Sequence, residues 1–319
     1  PLLTSLLDGY NVCIMAYGQT GSGKTHTMMG SQPLEEAAGT RQGIIPKAAA
    51  ELFRLISEKP ADSHTVEVSV TEVYNNEVFD LLATDEAEMS GNGVCVCVRV
   101  CVRACVRACG DRPASNACEV MQIIRSVLKL RAHSPTLIHT DSSRSHLIVT
   151  LTISSKSPNA VALGETFLHT PVSLTFPQCD FDFHIQPAGC RAVFRTKLQL
   201  VDLAGSECVG MSGVSGAALW EVSCINRSLS ALSDVLGALA EQRPHIPYRN
   251  SKLTHLLQDV IGGDAKLLLM LCVSPTQRFI SESLQSLGLG TRARQVQKEP
   301  PRAKSNALKE RERPSVVLG

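Results

Sequence analysis

Residues Gly18-Gln19-Thr20-Gly21-Ser22-Gly23-Lys24-Thr25 fit the spacing G-x-x-x-x-G-K-[ST] in full. The glycines let a backbone wrap around phosphate oxygens, so that successive N–H groups and a helix N-terminus face the anion. Lys24 supplies a positive charge for the outer phosphates, and the Thr25 hydroxyl a ligand for Mg²⁺. Binding of a nucleoside triphosphate follows. A metal-bound triphosphate also needs a carboxylate at the end of a neighbouring strand. Asp202, which closes the apolar run Leu198-Gln199-Leu200-Val201, is placed to hold Mg²⁺ through water. Gly205 after it offers a backbone N–H to the γ-phosphate.

These residues need strands and helices to position them. Val12 to Ala16 is a continuous apolar run of the kind a buried parallel strand shows, and it leads straight into the glycine loop. Pro1 to Asp8 reads as the end of a helix that Gly9 stops. Helical spacing covers Gly43–Ile56, Glu119–Arg131, Ile225–Leu239, Ser251–Ile261 and Gln285–Val296. Strands are expected at Val66–Tyr74, Leu147–Ile153, Leu198–Val201 and Leu267–Val273. Asn75-Asn76 makes a turn, after which Glu77–Leu82 either pairs back or starts a short helix. Strands alternating with helices give an α/β domain.

The chain has 319 residues, 44% of them hydrophobic and 4% aromatic, with a formal net charge of +1. That is ample for one large core, and the near-neutral charge argues against general nucleic-acid binding. No apolar run reaches transmembrane length, so no membrane is expected as a partner. Twelve cysteines without disulfide-type spacing or a signal peptide point to a reducing compartment. Five of them fall in Val94–Cys109, VCVCVRVCVRACVRAC, each residue of which can be written with codons of alternating purine and pyrimidine. The hypothesis is that this stretch is repeat DNA read through into the chain; a clean read of the mature transcript across it would end that idea. The alternative, a metal site, lacks paired C-x-x-C knuckles and any His.

The glycine loop in AYGQTGSGKTHTM, then Ser142-Ser143-Arg144-Ser145-His146, Leu200–Glu207 (LVDLAGSE), Ile225-Asn226-Arg227-Ser228-Leu229 and His245–Asp259 (HIPYRNSKLTHLLQD) together resemble kinesin motor domains in motif and order. Within that family the motor's place near the C-terminus resembles the kinesin-14 group. The resemblance implies a P-loop three-layer α/β/α core around a mostly parallel sheet, with ATP and Mg²⁺ as cofactors and microtubules as the partner. It implies a cytoplasmic, cytoskeletal location. Residues 1–299 would be the motor domain, with inserts at about 84–116 and 155–197 as loops or disordered segments and 300–319 as a disordered tail. Ser142 and Ser143 look like switch I, with Ser143 a Mg²⁺ ligand beside Thr25 and Asp202, and Ser142 next to the attacking water. Glu207 of switch II would form an ion pair with Arg144 and so close the site. Asn226 matches a helix residue near the γ-phosphate, and His26 a ring beside adenine. Arg227, His245, Tyr248, Arg249 and Lys252 occupy tubulin-facing positions.

The chain also departs from the family pattern. It starts after the segment R-x-R-P that forms the other wall of the adenine pocket, so the first strands are expected to be missing. His139 replaces an Asn, Cys208 and Met211 replace basic residues, and Trp220 stands where a Lys is usual. Weaker microtubule contact is the expectation. Leu289-Gly290 stands in place of Phe-Ala, which should loosen the packing of the closing helix. No heptads are visible, so dimerisation is not supported by this chain. Two functions remain: an ATP-driven microtubule motor, or a non-motile microtubule-binding protein with an impaired ATPase site.

Overall fold

The computed structural model describes residues 1–31, 41–61, 63–82, 98–100, 110–133, 143–155, 194–207, 217–262 and 265–296. Its strands are β1 (Val12–Tyr17), β2 (His64–Tyr74), β3 (Glu77–Asp80), β4 (Val98–Val100), β5 (Arg112–Ala114), β6 (His146–Ser155), β7 (Phe194–Asp202) and β8 (Lys266–Leu271). The helices are α1 (Leu2–Leu7), α2 (Lys24–Met29), α3 (Ile44–Ser57), α4 (Ala117–His133), α5 (Ala217–Ala240), α6 (Lys252–Leu256), α7 (Gln258–Ile261) and α8 (Ile280–Arg294).

One sheet runs in the order β4-β3-β2-β6-β7-β1-β8, with β5 also pairing with β2. β1 is a middle strand and both its faces are covered, which is why its sequence is apolar without alternation. Val12, Ile14 and Ala16 point into one core with Met28, Ile45, Leu52 and Ile124 of α2, α3 and α4. Cys13 and Met15 point into the other with Ile225, Leu232, Leu253, Val260 and Leu289 of α5, α6, α7 and α8. The three-layer α/β/α arrangement is therefore as the sequence implies. The sheet is less parallel than expected: β1 runs parallel to β7 and β8, while every other pairing is antiparallel. The hairpin at Asn75-Asn76 accounts for part of this. Both residues have positive φ, 48° and 60°, the geometry of a tight turn that sends Glu77–Asp80 straight back along β2.

The strands are also longer than their apolar runs. β6 reaches Ser155 and β7 begins at Phe194, and these two residues pair. The expected 155–197 insert is therefore shorter at its far end, where β7 already begins at Phe194. Val98–Val100 and Arg112–Ala114, inside the other expected insert, pair with β3 and β2. The Ser251–Ile261 helix is broken at Leu257 (φ −87°, ψ 1°), whose N–H bonds to both the Leu253 and the His255 carbonyls. Leu289 of α8 is buried, and a Cβ on Gly290 would overlap the Leu271 side chain. The 300–319 tail, and residues 94–97 and 101–109 of the cysteine-rich repeat, lie outside the described residues.

Candidate nucleotide site

Register brings the chemistry together. β1 and β7 are parallel with Ala16 opposite Asp202, so the loop leaving β1 emerges beside that carboxylate. β6 is antiparallel with Leu147 opposite Asp202, so the residues entering β6, Ser143 to Ser145, reach the same rim. Ligands of open α/β sheets bind at such carboxyl ends.

The loop itself is backbone-dictated. Gly18, Gly21 and Gly23 all have positive φ (154°, 77° and 93°). At Gly18 there is a second constraint, because a Cβ there would overlap the Cys272 carbonyl oxygen. Lys24 opens α2 and is only 6% exposed; its Nζ donates to the Gln19 carbonyl at 2.9 Å. Burial pulls its pKa below the usual lysine value, partly offset by the negative charges of Asp202 and Glu207. Thr25 Oγ1 donates to Asp202 Oδ2 at 2.7 Å. Gln19 Oε1 is buried with no hydrogen-bond partner among the described residues. His26 is exposed on α2.

The residues present fit a Mg²⁺ nucleotide. A glycine cradle, a buried ammonium and a hydroxyl–carboxylate pair lie at one rim. Among the described residues no cluster of three His, Cys, Asp or Glu forms a metal cage. Such a donor set suits a hard cation that keeps waters and phosphate oxygens in its shell.

The segments after β7 and before β6 are tied to the loop. Gly205 N–H donates to the Ser143 carbonyl at 2.8 Å, and Ser206 N–H to the Gly18 carbonyl at 3.1 Å. Ser142 and His139 lie outside the described residues. The expected Arg144–Glu207 ion pair is not formed. Glu207 instead accepts from Thr20, from its N–H at 2.9 Å and its Oγ1 at 2.7 Å. This is possible because Gly205 has no side chain; a Cβ there would overlap both Glu207 and Thr20. Arg144 Nη1 meets Glu221 Oε2 on α5 at 2.6 Å. Glu207 is thus held by a loop N–H and hydroxyl and Arg144 by a buried carboxylate, both charge-assisted hydrogen bonds. Glu221 was missed in the sequence. Its signal is spacing, since it lies two helical turns before the buried Ser228 and on the same face.

On the α5 side of the sheet, Arg227, His245, Arg249 and Lys252 are exposed and Tyr248 half-buried. Tyr248 opens a short 3₁₀ turn, Tyr248–Asn250, and its carbonyl accepts from Thr254 Oγ1 at 2.7 Å. Burial raises the Tyr248 pKa. Asn226 is half-buried on α5, and Trp220, at the start of that helix, is 66% exposed. Cys208 and Met211 lie outside the described residues. No described helix is long and apolar enough to cross a membrane.

A kinesin motor domain family model matches residues 1–296. The chain is 51% identical to kinesin-like protein KIF25 of Macaca fascicularis over 98% of its length, spanning 57% of that relative. It is 48% identical to KIF25 of Homo sapiens, over 95% of this chain and 84% of the relative. Kinesin-like protein KIN-14E of Oryza sativa subsp. japonica is 37% identical over 94% of this chain and 24% of its own length. Among solved structures, a fast kinesin studied for its ATPase mechanism and interactions with microtubules superposes with a TM-score of 0.69 at 32% identity. It covers 99% of this chain and 78% of that one.

Proposed function

Because this chain belongs to the kinesin motor-domain family, we propose that it is an ATP-hydrolysing microtubule motor of the cytoplasmic cytoskeleton. One observation carries this reading: the β1–β7–β6 register sets Lys24, the Thr25–Asp202 pair and the Gly205–Ser143 contact at a single rim.

In this reading Gly18 to Gly23 wrap the phosphates and Lys24 neutralises their outer charge. Thr25, Ser143 and Asp202 would hold Mg²⁺. The ion supplies charge neutralisation of the triphosphate. Ser142 and Gly205 flank the attacking water and the γ-phosphate, Asn226 approaches from α5, and His26 stacks on the base. Phosphoryl transfer to water asks little of a protein beyond positioning and electrostatic stabilisation, and these groups provide both. Arg227, His245, Tyr248, Arg249 and Lys252 meet the acidic filament. The Arg144–Glu207 pair belongs to a closed arrangement of the same segments, reached by exchanging Glu221 and Thr20 as partners.

The test is ATP turnover by the whole chain and by Lys24→Ala, each with and without microtubules. The expected result is turnover that microtubules raise in the parent chain, and at least about a hundredfold loss in the variant. Turnover unaffected by Lys24→Ala would sink the site. A second reading, a non-motile microtubule-binding protein with an impaired ATPase, is favoured by Glu207 lying on Thr20 rather than on Arg144. It is distinguished by microtubule attachment without turnover.

A further inference from the structure

His146 begins β6 at the site rim, yet none of the phosphate or metal chemistry uses it. It is 2% exposed. A backbone N–H can only donate, so the 3.0 Å contact from Ala204 N–H makes Nδ1 the acceptor. The proton of the neutral ring therefore sits on Nε2. Nε2–H donates to Ser228 Oγ at 2.7 Å, and Ser228 Oγ–H donates to the Ile225 carbonyl at 2.7 Å. Burial, reinforced by the Lys24 charge, holds the ring neutral, so the direction of the relay is fixed.

The two ends of this relay are informative. Ala204 lies between Asp202 and Gly205, the residues that touch the metal–phosphate region. Ser228 is on α5 next to exposed Arg227. Every donor and acceptor in the chain is used, so a shift of Ala204 must either carry α5 with it or strand a buried polar group.

We propose that His146 is a positioning residue that couples the Asp202–Glu207 segment to α5, so that a change at the phosphate cradle is passed to the helix bearing Arg227. The proposal rests on the nucleotide-dependent motor reading and deepens it. The coupled element is α5, and the coupling is a linkage between two sites.

The experiment uses the full chain, Ser228→Ala, His146→Asn and the double variant. In each, hydrogen exchange of the α5 amides is compared between Mg·ADP and a non-hydrolysable ATP analogue, without microtubules. Microtubule affinity is then measured in the same two nucleotide states. Asn keeps an acceptor for Ala204 N–H but cannot reach Ser228. In the parent chain the two nucleotides should give different α5 exchange. Either single variant should abolish that difference and reduce the nucleotide dependence of microtubule affinity at least fivefold. The double variant should be no worse than either single one, because both cut the same link. Should the variants melt at lower temperature but keep the parent's nucleotide-dependent exchange, His146 merely packs the core and the proposal is overturned. It is equally overturned if α5 exchange in the parent chain ignores the nucleotide. If the parent shows nucleotide-dependent exchange that the variants lose, but no nucleotide-dependent microtubule attachment, the coupling stands and the motor reading fails.

Discussion

At the scale of single residues, the site is a contest over partners. Glu207 faces a loop rich in N–H donors and holds Thr20, while Arg144 reaches Glu221. The motif spacing shows which residue types arrive at the rim, because the glycines, Lys24, Thr25 and Asp202 have local geometric requirements. Partner choice among mobile charged side chains depends on distances that only packing sets, so the Arg144–Glu221 pair was not legible. Nor was the role of His146, which reads as one more member of a polar motif until both its ring nitrogens are seen to be engaged. Its burial has a pH signature. The ring's pKa falls from 6.5 to about 3, chiefly through burial and then through the charge of Lys24. Below pH 6.5 the unfolded chain binds a proton that the native chain refuses, so stability is lost as pH falls through that window. The slope from this one group is about 1.4 kcal/mol per pH unit. His146→Asn should therefore lose less stability than the parent between pH 7 and pH 5, as read from urea unfolding midpoints. Parallel pH profiles for the two proteins would contradict the assignment.

At the scale of elements, local signals located nearly every helix and strand but not their ends. The apolar runs in β6 and β7 stop at Ile153 and Leu198, yet the backbone pairing continues to Ser155 and Phe194. Pairing does not require an apolar side chain, so the extra length was invisible in the sequence. The break at Leu257 was invisible as well, since neither Gly nor Pro marks it. α6 starts more plainly: the Ser251 hydroxyl accepts from Thr254 N–H at 3.1 Å, an N-cap buried beneath the Tyr248–Asn250 turn. Ser251→Ala should cost about 1 kcal/mol of stability. Urea titration checks this, and a loss within a few tenths of wild type would mean that the cap is redundant. Because the capped helix carries Lys252 and follows Arg249, the same variant should weaken microtubule attachment more than nucleotide binding.

At the scale of the whole molecule, near-zero net charge coexists with a local concentration of exposed cations. Arg227, Arg249 and Lys252 lie on elements packed against one face of the sheet. An acidic filament would feel that face long before it felt the average charge. Microtubule attachment should therefore fall steeply as salt rises from about 50 to 150 mM, where screening shortens to about 8 Å. Arg249→Ala should cost about 1 kcal/mol of attachment, roughly fivefold in affinity. Co-sedimentation across a salt series measures both, and a flat salt response would rule out an electrostatic footprint on this face. The α/β class was legible from alternating strand and helix periods, and the three-layer core followed from the resemblance that the motifs carry. The antiparallel placing of β6 was not legible, since its pairing direction is decided by long connections that carry no pattern of their own, whereas the Asn75-Asn76 turn already left the β2–β3 hairpin as one of two readings.

The far ends of β6 and β7 meet at Ser155 and Phe194, roughly 27 Å along the strands from Asp202. Any peptide spliced between those two residues leaves and rejoins the scaffold at the rim remote from Lys24 and Asp202, with the ladder beneath it holding its alignment. Added length there costs only the slow logarithmic penalty of closing a bigger loop. This rim is thus the natural landing place for genetic insertions, and for a fused reporter or an engineered new pair of termini, while the tight turn from β1 into α2 has no such latitude.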